Sequence, residues 1–99
     1  MPVAFDEVVE KVTHAARATE ADIGASPVLV AVVHEFEAKL MKAQRHASDG
    51  APGRDDVVEL EQAGDSAKAA AQADAGLSSD TRGSVFAAHL AICKLKAGA

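Results

Sequence analysis

The segment SPVLVAVVHEFEAKLMKAQRHA, residues 26–47, decides the fold of this 99-residue chain. Ser26 offers a hydroxyl that can cap the first free N–H groups of a helix, and the backbone φ of Pro27 suits the first helical position. Apolar side chains then recur every three or four residues, which is the spacing of one helix face: Leu29, Val32, Val33, Phe36, Leu40, Ala43 and Ala47. The sequence therefore predicts a helix over residues 27–47, about 30 Å long.

Three further amphipathic segments predict helices at about residues 3–22, 54–75 and 80–96, with a later start of the last helix at Gly83 or Ser84 left open. Gly24, a residue that can take positive φ, is expected to end the first helix. The segment SDGAPG is a loop signal before the third helix. No strand pattern and no internal repeat is seen. We expect one all-α domain over residues 1–99, an antiparallel up-down-up-down four-helix bundle.

The charge and the cysteine content exclude several classes of protein. Fifteen acidic and ten basic side chains give a net charge of −5, which disfavours binding to nucleic acid and to anionic membranes. One cysteine cannot form an internal disulfide, the N-terminal residues lack a secretory signal pattern, and the longest apolar run is too short to cross a bilayer. These features predict an acidic cytoplasmic protein.

Neither a catalytic centre nor a metal site is expected from the residue spacing. Nearly every carboxylate falls on a predicted solvent-facing side or in a helix cap, where it stays solvated. The chain has no Glu-x-x-His or His-x-x-x-His pattern, so we expect no metal and no cofactor. Cys93 lies one turn from His89, but its place in an apolar stripe favours a role as core filler. The protein is therefore expected not to be an enzyme.

One resemblance offers an alternative function. The segment His34-Glu35-Phe36-Glu37-Ala38-Lys39-Leu40 resembles the phospho-acceptor box of citrate- and dicarboxylate-sensing sensor kinases, roughly H-E-F-x-N-K-L. The resemblance implies His34 as the phospho-acceptor, Glu35 as its neighbouring acid, and helices 2 and 3 as a dimerisation hairpin. Ala38 stands where that family has a polar residue.

A second segment is similar in spacing to histidine-phosphotransfer domains, which read about H-x-L-K-G with a glycine near +10. It is His14-Ala-Ala-Arg17-Ala, followed by Ile23-Gly24-Ala25. This similarity implies His14 as the acceptor and Arg17 as the basic residue of the motif. The alternative function is therefore histidine phosphotransfer to a receiver domain, by His34 or by His14.

Helices 2 and 4 carry more apolar residues than one small core is expected to bury, and such a surplus is typical of a contact surface. We therefore predict a protein that acts by protein–protein interaction, as an adaptor, an immunity-like protein or a regulatory subunit. Its expected partner is another protein or a second copy of itself, in a homodimer. The predicted interaction surface consists of Val30, His34, Met41, Val85, His89, Ile92 and Leu95.

Overall fold

The structure is a computed structural model that describes the backbone of residues 2–98 and the side chains of residues 5–98. It contains four helices of 20 residues each: α1 (Pro2–Ala21), α2 (Pro27–His46), α3 (Arg54–Ala73) and α4 (Ser79–Gly98). All four predicted helices are confirmed, with bounds that differ by no more than two residues. The start of α4 is the earlier one, and residues 2–98 contain no strand.

The four helices form the predicted antiparallel bundle, with extents of 40 × 19 × 18 Å. α1 packs against α2 and α4, and α3 packs against the same two helices. Within residues 2–98, the backbones of the diagonal pairs α1–α3 and α2–α4 stay apart, with no Cα atoms within 8 Å of each other. The α1–α2 loop and the α3–α4 loop lie at one end of the bundle, and the α2–α3 linker lies at the other. None of the helices in residues 2–98 combines the length and apolar character needed to cross a membrane.

The core confirms the apolar stripe of α2. Ser26 caps this helix, since its Oγ accepts a hydrogen bond from the Leu29 N–H at 3.2 Å. The stripe residues Leu29, Val33, Phe36, Leu40 and Ala43 are buried. α3 contributes small residues opposite them, and a Cβ added to Gly64 would lie 3.1 Å from Cζ of Phe36. The ring of Phe36 therefore occupies the space that this glycine leaves open.

The two halves of the chain repeat each other in structure, although no internal repeat is seen in the sequence. α1 and α3 begin at residues 2 and 54, and α2 and α4 begin at residues 27 and 79, an offset of 52 in both cases. Most buried positions of the first half match buried positions of the second, for example Val8 and Leu60, Val33 and Val85, Leu40 and Ile92. Few side chains are identical between the halves, which is why the repeat is hidden in the sequence.

The clearest part of the repeat is a contact between the two loops at one end of the bundle. The loops read Asp22-Ile-Gly24-Ala-Ser26 and Asp74-Ala-Gly76-Leu-Ser78. Each aspartate accepts a hydrogen bond from the serine N–H of the other loop, at 3.1 Å for Asp22 with Ser78 and 2.8 Å for Asp74 with Ser26. We call these two aspartates, two glycines and two serines the loop clasp.

The glycines of the loop clasp allow the two backbones to approach closely. A Cβ on Gly24 would overlap the carbonyl oxygen of Gly76, and a Cβ on Gly76 would lie 2.8 Å from the carbonyl oxygen of Gly24. Gly24 does not have positive φ. Within residues 2–98 only Asp49 and Gly50 do, at 54° and 76°. The expectation that Gly24 ends α1 through positive φ is therefore wrong, and close contact between loops explains this glycine.

We expect the loop clasp to make the stability of the bundle sensitive to acid. Hydrogen bonds from the Thr81 side chain and from the Gly24 and Ser78 N–H groups lower the pKa of Asp22 from 3.8 to about 2. The pKa of Asp74 is also lowered, mainly by the Ser26 N–H. Because these pKa values are lower in the folded chain than in the unfolded chain, the carboxylates stabilise the fold above about pH 4, and this contribution is lost as the pH falls towards 2.

We therefore expect Asp22→Asn to reduce the loss of unfolding free energy between pH 4 and pH 2, because the variant has no carboxylate to protonate at this position. Urea denaturation at several pH values measures the effect. Asp49→Asn, at an exposed aspartate in the linker at the other end of the bundle, is the matched control and should keep the acid sensitivity of the wild type. An unchanged pH dependence in Asp22→Asn would contradict the role of the loop clasp.

Candidate functional site

The predicted interaction surface is not one patch. Val85 and Ile92 are completely buried, so their assignment to a surface is wrong. α4 packs against both α1 and α3, and these two residues face the core between them. In the other apolar stripe of the helix, Phe86 is partly buried against the core, whereas Leu90 is 55% exposed. The chain itself therefore covers much of the apolar surplus that the sequence suggested would need a partner.

Two further residues of the predicted surface lie between helices. Leu95 is partly buried and packs against the core. His89 faces α3, where its Nε2 lies 2.7 Å from Oδ1 of Asp65, and only 16% of its side chain is exposed. Neither residue is available as the centre of a contact surface.

The remaining three predicted residues, Val30, His34 and Met41, share one side of α2. The side facing α1 is identified by His34, whose Nε2 lies 3.3 Å from Oε2 of Glu20 on α1. Spacings of four and seven residues place Val30 and Met41 on the same side as His34. Val30 is partly buried, whereas Met41 is 52% exposed. We call Val30, His34 and Met41 the α2 edge, and it is the candidate contact site.

An exposed network of charges borders the α2 edge. Arg17 on α1 lies 3.1 Å from Glu20 and 3.4 Å from Glu37, and Glu20 in turn contacts the ring of His34. Exposed ion pairs of this kind contribute little to stability. Glu37 precedes Met41 by one helical turn, so this network places both signs of charge on the side of α2 that carries Met41.

The two resemblances imply His34 with Glu35, and His14 with Arg17, as phosphotransfer residues. In the structure His34, Glu35 and Arg17 have other partners. Glu35 pairs with Lys39 at 3.6 Å, and the acid beside His34 is Glu20 from another helix. His14 is exposed on α1, while Arg17 is engaged by the acidic side chains described above. α2 also packs against α1, and α3 also packs against α4 of the same chain. The α2–α3 pair is therefore already enclosed in a complete bundle.

A cysteine, a histidine and an aspartate meet between α3 and α4. The Cys93 Sγ lies 3.7 Å from Nε2 and 3.9 Å from Nδ1 of His89, which contacts Asp65. Burial raises the pKa of the Cys93 thiol, and the negative charges of Glu61 and Asp65 raise it further. A thiol nucleophile needs a lowered pKa, so the raised pKa gives no support to a nucleophilic role for Cys93. The sequence missed Asp65 because it comes from a different helix.

In the part of the chain that the structure describes, no group of three or more His, Cys, Asp or Glu side chains is arranged so that it could hold a metal ion. An open cleft of about 460 Å³ lies where α2 ends and α3 begins, and Lys42, His46, Arg54, Asp56 and Glu59 are among its lining residues. Its charges are paired: His46 Nδ1 lies 3.0 Å from Asp56 Oδ2, and Lys42 Nζ lies 2.9 Å from Glu59 Oε1. The cleft therefore presents charges of both signs, with three carboxylates, one lysine, one arginine and one histidine in its lining.

These features define the class of the protein as a four-helix bundle of two repeated helical hairpins, with a half-exposed edge on α2. Comparisons with models of protein families, with curated proteins and with solved structures found no match.

Proposed function

We propose that the protein acts by protein–protein interaction through the α2 edge, and that the partner is a second copy of the chain. The observation that carries this proposal is the position of Met41. This large apolar side chain is 52% exposed, on the same helix whose opposite side supplies the centre of the core. Covering it with another molecule would remove apolar surface from water, which favours association.

Charge supports a second copy as the partner. Exposed residues of both signs lie along or beside the α2 edge, namely Arg17, Glu20 and Arg45. In a two-fold symmetric dimer the same patch meets itself in the reverse direction. A patch of mixed sign can place acidic residues opposite basic ones in that arrangement, whereas a patch of one sign would repel its copy.

Sedimentation equilibrium tests the proposal. The wild type is expected to show a mass rising above the 10.1 kDa of one chain as concentration increases. Met41→Lys should weaken this association at least about tenfold, a change of about 1.4 kcal/mol, because a charged group would have to be buried in the contact. Leu90→Lys is the matched control, since Leu90 is a similarly exposed apolar residue on α4, and it should associate like the wild type. A wild type that stays at 10.1 kDa at every concentration would overturn the proposal.

Histidine phosphotransfer is the second candidate function, and the exposure of His34 favours it. The side chain is 53% exposed in a middle turn of α2, so a receiver domain could reach the imidazole ring. Incubation with a phosphorylated receiver domain tests this candidate. Label should pass to the wild type and to His14→Gln but not to His34→Gln, and an unlabelled wild type would exclude phosphotransfer with that receiver domain.

A further inference from the structure

We infer that the chain is one helical hairpin duplicated in tandem, and that the inner face of each hairpin is a binding surface for a hairpin of the same kind. Hairpin 1 is α1–α2 and hairpin 2 is α3–α4. It follows that a second copy of this chain can supply the partner hairpin, giving a dimer in which hairpins are exchanged. This contact is separate from the α2 edge and does not depend on it.

The hydrogen bonds of the two loops carry the first step of the inference, because they correspond one by one at the offset of 52. The Ser26 Oγ accepts from the Leu29 N–H at 3.2 Å, and the Ser78 Oγ accepts from the Thr81 N–H at 3.2 Å. The Gly24 N–H donates to Asp22 at 2.9 Å, as the Gly76 N–H donates to Asp74 at 3.1 Å. These matching hydrogen bonds show that the two hairpins have the same local structure in their loops.

The bonds between the loops show that the contact between hairpins is two-fold symmetric. Asp22 of hairpin 1 binds Ser78 of hairpin 2, and Asp74 of hairpin 2 binds Ser26 of hairpin 1. In a symmetric dimer, residue i of one partner meets residue j of the other and the reverse also holds. The hairpins therefore meet here as two subunits of a dimer do, within one chain.

In the core, equivalent positions of the two hairpins carry side chains of different size. At one pair of equivalent positions the first half has Phe36 and the second half has Ala88, and at another the first half has Val12 and the second half has Gly64. The large Phe36 of hairpin 1 packs on the small Gly64 of hairpin 2. Each hairpin therefore presents to the other a surface of complementary size, and this complementarity does not require both to belong to one chain.

Residues 47–53 join the two hairpins and determine whether the partner hairpin comes from the same chain. Ser48 and Ala51 exchange two backbone hydrogen bonds of 3.0 Å. Asp49 and Gly50 between them both have positive φ, as a type I′ turn requires. The turn reverses the chain and holds the hairpins at an effective concentration of the order of millimolar. Exchange is therefore expected when the turn cannot form or when the protein concentration approaches that value.

The first experiment removes the turn. Residues 48–53 are replaced by Ala-Glu-Ala-Ala-Lys-Ala, so that α2 and α3 continue as one helix of about 70 Å and hairpin 2 cannot fold back on hairpin 1. We expect a helical dimer of about twice the 10.1 kDa chain mass. A chain with Gly-Ser-Gly inserted between Pro52 and Gly53 keeps the Ser48–Ala51 turn and lengthens the linker only, so it is the matched control, with no exchange expected. A folded monomer of the helical-linker variant would overturn the inference.

The second experiment keeps the native linker, so it tests hairpin exchange even if the helical-linker variant does not fold. Lys42 of α2 lies 2.9 Å from Glu59 of α3. One chain carries Lys42→Cys and another carries Glu59→Cys, both with Cys93→Ser, and they are mixed in denaturant and refolded at a concentration of the order of millimolar. A short bismaleimide should join the two different chains. A sample that contains only Lys42→Cys chains should not form this cross-linked product. Its absence from the sample that contains both variants would overturn the inference.

The same variants distinguish hairpin exchange from association through the α2 edge. Adding Met41→Lys to the helical-linker variant should leave its dimer intact, since Met41 lies outside the core. If hairpin exchange fails while wild-type association remains sensitive to Met41→Lys, only the tandem-dimer inference is lost. If exchange succeeds while the wild type remains monomeric under the conditions of the sedimentation test, only the proposed function of the α2 edge is lost.

Discussion

Phe36→Ala is expected to lower the free energy of unfolding by about 3–5 kcal/mol, the usual cost of removing a buried phenyl ring and leaving a cavity. Phe36 is completely buried and is the largest of the fully buried side chains. Its neighbour Gly64 cannot fill the space, because glycine has no side chain. Since small domains are stable by about 5–15 kcal/mol, this one change removes a large fraction of the total.

Urea denaturation of Phe36→Ala measures the loss, and Leu90→Ala serves as the control. Leu90 is a large apolar residue that is 55% exposed, so its truncation should change stability by no more than about 0.5 kcal/mol. Adding Gly64→Ala to Phe36→Ala should restore part of the loss, since the new methyl group enters the cavity and alanine also favours the helix. Equal losses for Phe36→Ala and Leu90→Ala would contradict the described core.

Gly24→Ala is expected to cost about 3 kcal/mol, because an added methyl group would overlap the Gly76 carbonyl and push the loops apart. Separation of the loops would also break the bonds from Asp22 to Ser78 and from Asp74 to Ser26. The two serine N–H groups lie at the starts of α2 and α4, so both helices would lose part of their capping.

Gly83→Ala makes the same chemical change with the opposite expected sign. Gly83 is exposed within α4, and a Cβ at this position meets nothing within 4 Å. Alanine should therefore raise the free energy of unfolding by up to about 1 kcal/mol through its higher helix propensity. Thermal and urea denaturation of the two variants measure the contrast, and a Gly24→Ala protein as stable as the wild type would mean that the loops do not meet as described.

Local signals were sufficient to predict the helices. Ser26 and Pro27 mark the start of α2 in any context, since the cap and the fixed φ act within one turn. The spacing from Leu29 to Ala43 identified the buried side of α2 because only that side is apolar along the whole helix. The candidate residues of the α2 edge were predicted by the same reasoning, as apolar or histidine positions outside the stripe.

The buried side of α4 could not be predicted in this way. Val85 and Ile92 form one apolar stripe, and Phe86 and Leu90 form another, so periodicity alone does not show which stripe faces the core. The positions of α1 and α3 on either side of α4 decide it, and they bury the stripe of Val85 and Ile92. A helix that is apolar on two sides has no unique orientation until its neighbours are in place.

The sequence by itself therefore determined the four helices, their order and the main stripe of the core, because these depend on residues within a few turns of each other. Only the tertiary structure decided the loop clasp, the acid beside His34 and the repeat of the hairpins. Asp22 meets Ser78, and Glu20 meets His34, across separate helices. Such contacts depend on how complete helices pack, and no local pattern of side chains specifies that packing.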